Sequence, residues 1–244
     1  MNGLYGILWQ EFVVFKRKFM GTTISFLISP ILYLVAFGWG LGSGVEIDGV
    51  SYMAFIIPGI IGMNTMMTSF SNTANNINIS RIFYKTFEDY MISPINMTIF
   101  ALGKIIAGAF YGIYSATLII IMVSIFTNDL VITPYFILIA LLNCFVFSAL
   151  GFLIGLVVNS HSDMAKFTSF VITPMSFLCG TFFPIDKMPE ILRWVIYLLP
   201  LTHTNIAMRT SGETPGQMAL HAGVLVAYLI ALFILGAIHC KKVE

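Results

Sequence analysis

The stretch GVSYMAFIIPGIIGMNTMMTSFSNTANNINIS, residues 49–80, contains no Asp, Glu, Lys or Arg. The hydrocarbon core of a bilayer is about 30 Å thick, and a helix that rises about 1.5 Å per residue needs about 20 residues to cross it. The stretch is long enough for such a helix and lacks the charged face of a soluble one. It therefore predicts a transmembrane helix over residues 52–74.

Five other stretches are free of charged residues over a similar length: residues 19–45, 105–128, 130–162, 167–185 and 214–240. Of the 244 residues, 58% are hydrophobic and only 9% are charged, whereas soluble domains carry about 25% charged residues. We therefore predict an all-α integral membrane protein that forms one domain, residues 1–244. Its six transmembrane helices are expected at about residues 20–42, 52–74, 105–127, 134–158, 167–184 and 218–240.

The Lys and Arg residues lie unevenly between the loops. Six spans place both termini on one side, and cytoplasmic loops carry an excess of Lys and Arg. With cytoplasmic termini, three basic residues lie outside and nine lie inside: Lys16, Arg17, Lys18, Arg81, Lys85, Lys104, Lys166, Lys241 and Lys242. The sequence therefore predicts cytoplasmic N and C termini.

Three segments outside the spans are long enough for structure of their own. Residues 1–18 predict a helix on the inner membrane surface, and residues 76–104 a cytoplasmic loop. Residues 186–213 predict an external segment of short re-entrant or interfacial helices, with Trp194 and Tyr197 at the level of the lipid head groups.

The composition excludes several classes of function. A net charge of +1 provides no basic surface for nucleic acid. His and Cys residues show no spacing typical of a metal or catalytic site, so we expect neither, and the predicted spans hold no charged residue at mid-depth for proton coupling. The chain also lacks the phosphate-binding pattern GxxxxGK[ST], so ATP-driven work would require a separate polypeptide.

The cytoplasmic loop combines charged and aromatic residues at helical spacing. The two sets are Arg81, Lys85 and Glu88 on one side, and Phe83, Phe87 and Tyr90 on the other. This pattern predicts one short amphipathic helix that ends before Pro94. Such a helix suits a groove on a cytoplasmic protein, and the alternative is a helix that lies flat on lipid.

The second span carries a stripe of amides and hydroxyls that repeats at helical spacing: Asn64, Thr68, Ser71 or Asn72, and Asn75. A polar stripe in a membrane helix should face protein or water. Two interpretations remain open, namely hydrogen bonding between helices and the wall of a translocation path. Glycines four residues apart, as in Gly108 and Gly112 and in Gly151 and Gly155, predict closely packed helices.

Two stretches point to a family. In the first, residues 52–104, YMAFIIPGIIGMN opens the second span and RIFYKTFEDYMISPINMTIFALGKI follows it. In the second, residues 176–209, the sequence is SFLCGTFFPIDKMPEILRWVIYLLPLTHTNIAMR. The chain resembles, over essentially its whole length, the permease subunits of ABC-2-type ATP-binding-cassette exporters, in particular those for lipo-oligosaccharides, polysaccharides or drugs.

The resemblance implies a complex of two permease copies and two copies of a separate ATPase, which would hold ATP and Mg²⁺. The cytoplasmic loop would be the coupling helix, with Tyr84 joining the six residues named above. The polar stripe of the second span would line the path of an amphiphilic substrate, such as a glycolipid, polysaccharide or drug. An external gate would contain Phe182, Phe183, Pro184 and His203, after a helix break marked by Gly180. The expected location is the inner membrane of a prokaryotic cell.

Two alternatives come from other classes. An enzyme of lipid or glycan metabolism embedded in the membrane would need clustered ionisable residues. A passive channel or scaffold would need no motor, and would leave the pattern of the cytoplasmic loop unexplained.

Overall fold

A computed structural model describes residues 2–42, 44–47, 49–92, 95–127, 130–209 and 214–242. The helices are α1 (Asn2–Arg17), α2 (Phe19–Tyr33), α3 (Tyr52–Ile82), α4 (Thr86–Ile92), α5 (Met97–Phe126), α6 (Pro134–Val157), α7 (His161–Phe167), α8 (Thr173–Leu178), α9 (Glu190–Tyr197), α10 (Pro200–Arg209) and α11 (Pro215–Lys242). Two π-helical segments, Leu34–Leu41 and Thr168–Ile172, extend α2 and join α7 to α8, and Ile185–Lys187 forms a 3-10 turn. The strands β1 (Glu46–Ile47) and β2 (Val50–Ser51) pair as a small antiparallel hairpin.

Five helices in the described residues are long and apolar enough to cross a membrane: Phe19–Gly40, Tyr52–Ile82, Met97–Phe126, Pro134–Val157 and Pro215–Cys240. They coincide with five of the six predicted spans. The other predicted span, residues 167–184, lies in a helical segment that begins earlier, at His161, and ends at Leu178. Its predicted C-terminal boundary is wrong because Gly180 adopts a φ of 75°, a left-handed conformation that ends the helix.

Helix α3 lies at the centre of the bundle and packs against α5, α6 and α10. Its first turn is capped by Ser51, whose hydroxyl accepts a hydrogen bond from the Ala54 amide. The glycines predicted to allow close packing do so: a Cβ on Gly108 would lie 1.7 Å from Thr73 Oγ1, and one on Gly151 would lie 2.6 Å from the Phe70 carbonyl. The close approach of helix backbones thus holds α3 in place.

The sequence predicts short re-entrant or interfacial helices after α8, and the structure gives α9 and α10 different surroundings. Helix α9 has the expected exposed apolar side chains, among them Trp194. Helix α10, however, is buried and packs between α3, α6 and α11. The interfacial alternative is therefore wrong for α10, because its polar side chains bond to protein groups of the bundle, whereas burial between helices is compatible with the re-entrant alternative. Residues 210–213 of the predicted segment lie outside the described residues.

The predicted cytoplasmic loop is also not one helix. Helix α3 continues to Ile82, residues 83–85 form a turn, and α4 begins at Thr86. Lys85 has a φ of 55°, which no α-helix accommodates. The predicted amphipathic helix from Arg81 to Tyr90 is therefore wrong, and its expected stop before Pro94 falls on residues 93–94, which lie outside the described residues.

Candidate functional site

The turn between α3 and α4 places an aromatic pair at the surface. The side chains of Phe83 and Tyr84 are 77% and 67% exposed, and their rings pack edge to face at 5.1 Å. Lys85 and Glu88 are exposed beside them. We call Phe83, Tyr84, Lys85 and Glu88 the tip. An exposed aromatic pair flanked by both signs of charge is a surface suited to a protein partner.

The other three residues predicted for coupling face inward. Phe87 is 1% exposed and packs against Phe100 of α5, with ring centroids 5.7 Å apart. Tyr90 also packs on Phe100 and hydrogen bonds to Gln10 of α1. Arg81 donates to the Gly155 carbonyl at 3.2 Å and to Asn159 Oδ1 at 2.6 Å, at the end of α6. Phe87, Tyr90 and Arg81 therefore anchor the tip, and the predicted common aromatic face of Phe83, Phe87 and Tyr90 does not exist.

A buried ion pair joins α1 to α5. Lys104 Nζ lies 2.6 Å from Glu11 Oε1, and the two side chains are 5% and 10% exposed. Asn76 of α3 closes the group, since its Nδ2 donates to Glu11 at 3.2 Å and its Oδ1 accepts from Lys104 at 3.0 Å. Charged groups this deeply buried are stable only when paired and hydrogen bonded. The sequence places Lys104 in a solvated loop and does not identify this pair; the position of Lys104 directly before an apolar run is the one signal that it offers.

A cavity of about 370 Å³ opens beside this ion pair, between α1, α3 and α5. Three residues of the predicted polar stripe line it, namely Ser71, Asn72 and Asn75. The other two do not: Asn64 donates to Ser115 of α5 at 2.6 Å, and Thr68 donates to the Asn64 carbonyl at 2.7 Å. The stripe therefore has two parts: Asn64 bonds α3 to α5 and Thr68 bonds to its own helix, whereas Ser71, Asn72 and Asn75 face open space.

At the opposite end of the bundle, α10 is held by side-chain amides. Asn143 of α6 donates to the Gly62 carbonyl at 3.0 Å and to Thr65 Oγ1 at 2.9 Å, and accepts from Thr204 of α10 at 2.8 Å. Asn205 donates to the Cys179 carbonyl at 2.8 Å. These bonds explain how polar residues of α10 are accommodated inside the bundle.

Arg209 connects three segments at the same end. Its guanidinium donates to the carbonyls of Phe55, Gly180 and Thr181 at 2.9, 2.5 and 3.0 Å and lies 3.8 Å from the centroid of the Phe55 ring. The planar fork of donors suits three carbonyls in different directions. Arg209 therefore fixes the turn after α8 to the start of α3.

The residues predicted for the external gate have different surroundings. Phe182 is buried among the rings of Tyr33, Phe37 and Phe177, whereas Phe183 is 39% exposed. Pro184 directly precedes the 3-10 turn.

His203, the fourth predicted gate residue, joins α10 to α11. Its Nδ1 lies 3.0 Å from Nδ1 of His221, and its Nε2 lies 2.9 Å from the Tyr197 carbonyl. A carbonyl only accepts, so Nε2 of His203 carries a proton, and in the neutral ring Nδ1 then accepts from Nδ1–H of His221. Phe182 therefore packs among aromatic rings near α2, whereas His203 bonds to α11 and to the end of α9. In the described part of the chain, no three His, Cys, Asp or Glu side chains meet in a group that could hold a metal ion.

Comparisons with known proteins agree over nearly the whole chain. A family model described as ABC-2 type transporter matches residues 3–211. The "Inner membrane transport permease YadH" of Escherichia coli (strain K12) is 25% identical over 233 residues, which cover 93% of this chain and 91% of that protein. "Nodulation protein J" of Rhizobium leguminosarum bv. viciae is 26% identical over 239 residues, covering 93% and 90%.

Proposed function

This chain belongs to the ABC-2 type transporter family, and we propose that it is the membrane-spanning subunit of an exporter driven by a separate ATPase. It is a multi-pass inner-membrane transport permease and not an enzyme. Two copies of the permease and two of the ATPase form the proposed complex, which moves an amphiphile such as a glycolipid, a polysaccharide or a drug. ATP and Mg²⁺ bind to the ATPase subunits.

The observation that carries the proposal is the contrast between the tip and its support. Phe83 and Tyr84 are exposed, whereas Phe87, in the first turn of α4, is buried against Phe100 of α5. A rigidly supported aromatic pair transmits a displacement of its partner to the helices behind it. Because α4 also contacts α1 through Tyr90 and Gln10, the push would reach both α1 and α5.

Six spans with cytoplasmic termini remain our topology. The helical segment His161–Leu178 has eighteen residues and is about 27 Å long, which is close to the thickness of the hydrocarbon core. Together with the five long helices it makes six spans, and an even number of spans places both termini on the same side of the membrane. The tip then lies on the cytoplasmic side, where an ATPase would meet it, and α9 and α10 lie on the outer side.

The second copy of the permease is proposed to pack on the exposed side of this segment. Phe170 and Val171 are 78% and 37% exposed there, and Phe177 is 37% exposed. The polar stripe of α3 and the gate residues Phe182, Phe183, Pro184 and His203 then belong to the path between the copies. Asn64 and Thr68 would shape its wall indirectly, through their bonds within the bundle.

Co-purification with the ABC ATPase encoded beside the permease tests the proposal. Phe83→Ala combined with Tyr84→Ala should leave folding intact, since both side chains are exposed, but should reduce ATPase recovery about tenfold or more, as expected for a central aromatic contact. Trp194→Ala, which removes an equally exposed ring at the other end, is the matched control and should leave recovery unchanged. Phe87→Ala is unsuitable as a probe of coupling because it removes a buried ring.

Full recovery of the ATPase with the double variant would show that the tip is not the docking surface. Failure of the wild-type permease to associate with any ATPase would refute the proposed exporter itself.

A further inference from the structure

A second cavity adjoins the first at the elbow between α1 and α2. It has a volume of about 680 Å³ and is lined by the three basic residues Lys16, Arg17 and Lys18 and by the first residues of α2. Lys18, Thr22 and Asn72 line both cavities, so the two form one groove. We call it the elbow groove. It lies where α2 begins, at the level at which a membrane span meets the lipid head groups.

The charges of the elbow groove do not balance. Glu11 is neutralised by Lys104 at the inner end. Lys16, Arg17 and Lys18 are exposed, and in the described part of the chain none of them forms a salt bridge. The mouth therefore carries three positive charges, and its ligand should carry a negative group there.

The inner wall offers hydrogen bonds that the protein itself does not use. Among the described residues, no hydrogen bond partner is seen for the side chains of Ser71, Asn75 or Tyr111, all of which line the first cavity. Asn72 Nδ2 donates to the Thr68 carbonyl. Within the described ranges no donor bonds to its Oδ1, and the residue lines the groove. Alternating donors and acceptors of this kind match the hydroxyl groups of a polyol or a sugar.

The groove also opens onto an apolar strip. Met20, Ile24, Ile28 and Leu32 follow one another at i, i+4 spacing along α2 and are 72%, 57%, 51% and 60% exposed. Residues at this spacing share one face of a helix. The strip starts at the groove, because Met20 lines the second cavity, and it offers a surface on which an acyl chain could lie.

We propose that the elbow groove binds the head group of a membrane amphiphile that carries a phosphate next to hydroxyl groups, with its chain along α2. The phosphate pairs with the basic mouth, the hydroxyls bond to Ser71, Asn72 and Asn75, and the chain covers Met20 and Ile24. A resident lipid such as phosphatidylglycerol and a phosphate-linked glycolipid in transit share this chemistry. The inference deepens the proposed function and rests on it for a supply of amphiphile in the cytoplasmic leaflet.

The test measures displacement of a fluorescent phosphatidylglycerol from the purified full chain. A polyoxyethylene detergent is used, because a sugar-headed detergent would compete for the groove. The competitors are dioctanoyl phosphatidylglycerol, with phosphate and hydroxyls, dioctanoyl phosphatidic acid, with phosphate alone, and octyl glucoside, with hydroxyls alone. We expect phosphatidylglycerol to bind most tightly of the three, and equal binding of all three would overturn the proposal.

Three variants separate charge from hydroxyl recognition. Lys18→Gln should weaken both phospholipids about fivefold, as expected for one basic residue near the membrane surface. Asn75→Leu should weaken phosphatidylglycerol and leave phosphatidic acid unchanged, and Ser71→Ala serves the same purpose with a smaller change in volume. Lys187→Gln, an exposed lysine of the 3-10 turn, should change nothing. If Lys187→Gln weakens binding as much as Lys18→Gln, or if Asn75→Leu and Ser71→Ala both leave phosphatidylglycerol binding intact, the groove is not the site.

An isoprenyl phosphate hexose identifies the source of the ligand. Tighter binding than phosphatidylglycerol assigns the groove to a transported glycolipid, and weaker binding assigns it to a resident lipid; either order supports the shared chemistry. No ATPase is present in this assay. A permease that recovers the ATPase but fails here therefore refutes only the groove, and one that binds lipid but recovers no ATPase refutes only the proposed exporter.

Discussion

Helices α3 and α11 are of similar length, 31 and 28 residues, but they have opposite surroundings. Within the most apolar window of each, 78% of α3 is buried in the protein and only 11% of α11. Yet α3 is the more polar of the two and carries a run of amides and hydroxyls. In a soluble protein the more apolar helix would be inside; in a bilayer the polar helix is central, because only protein groups can satisfy it.

The same contrast holds for small residues. A Cβ on Gly151 would meet the backbone of α3, whereas one on Gly223 of α11 would have no atom within 4 Å. The interior around α3 therefore depends on specific partners, and the periphery depends only on apolar character. Each of the following predictions pairs a change in the interior with a matched change at the periphery.

The largest effect is expected at the buried ion pair. Lys104→Met leaves Glu11 as an unpaired buried charge and should lower the free energy of unfolding by about 3–5 kcal/mol. Lys166→Met breaks a pair whose side chains are 63% and 52% exposed and should cost less than about 1 kcal/mol. Thermal unfolding followed by tryptophan fluorescence measures both.

Adding Glu11→Gln to Lys104→Met should recover much of the loss, because no lone charge then remains buried. Equal costs for Lys104→Met and Lys166→Met would mean that the pair between α1 and α5 is solvated.

A smaller effect is expected from one methyl group at a helix contact. Gly151→Ala would place its Cβ 2.6 Å from the Phe70 carbonyl and should destabilise the protein by about 1–3 kcal/mol through overpacking. Gly223→Ala should be neutral or stabilising by up to about 1 kcal/mol, owing to the better helix propensity of alanine. Size-exclusion profiles of fluorescent fusions after a heat step compare the two, and a stable Gly151→Ala variant would contradict the close contact.

The smallest effect is expected from the amide that holds α10. Asn143→Leu conserves shape but removes the three hydrogen bonds of Asn143 to Gly62, Thr65 and Thr204. Because Thr204 keeps the Pro200 carbonyl and the Gly62 carbonyl keeps the Thr65 hydroxyl, the loss should be limited to about 1–2 kcal/mol in a membrane bundle. Thr117→Val removes an exposed hydroxyl that bonds only to its own helix and should cost less than about 0.5 kcal/mol. Limited proteolysis between α9 and α10 at rising temperature would report the release of α10, and equal release in both variants would count against the role of Asn143.

Much of the fold could be predicted from the sequence because hydropathy and glycine spacing are local signals. The five long helices and the close contacts at Gly108 and Gly151 confirm those predictions. Gly180 marks the break after α8 in the sequence, but the predicted span ends at residue 184, six residues after the end of α8 at Leu178.

The parts that failed depend on contacts between distant residues. The sequence does not decide between the re-entrant and interfacial alternatives for α10, because the acceptor at Asn143, 61 residues away from Thr204, has no signature in sequence. For the same reason Glu11 could not be identified as the partner of Lys104, which lies 93 residues away, although the position of Lys104 before an apolar run was a signal. Charged and aromatic residues recur at helical spacing across residues 81–90, but this spacing gives no indication of the left-handed backbone conformation at Lys85.

The position of α10 after several of its hydrogen bond acceptors in the chain has a consequence for synthesis. Thr204 bonds to Asn143, Asn205 to Cys179, and Arg209 to the carbonyls of Phe55 and Gly180. In each of these bonds the partner is the earlier residue, and at about 5–20 residues per second Asn143 leaves the ribosome about 3–12 s before Thr204. Thr204, Asn205 and Arg209 therefore emerge after their acceptors and can bond to them during translation, whereas Nδ1 of His203 gains its partner only when His221 follows.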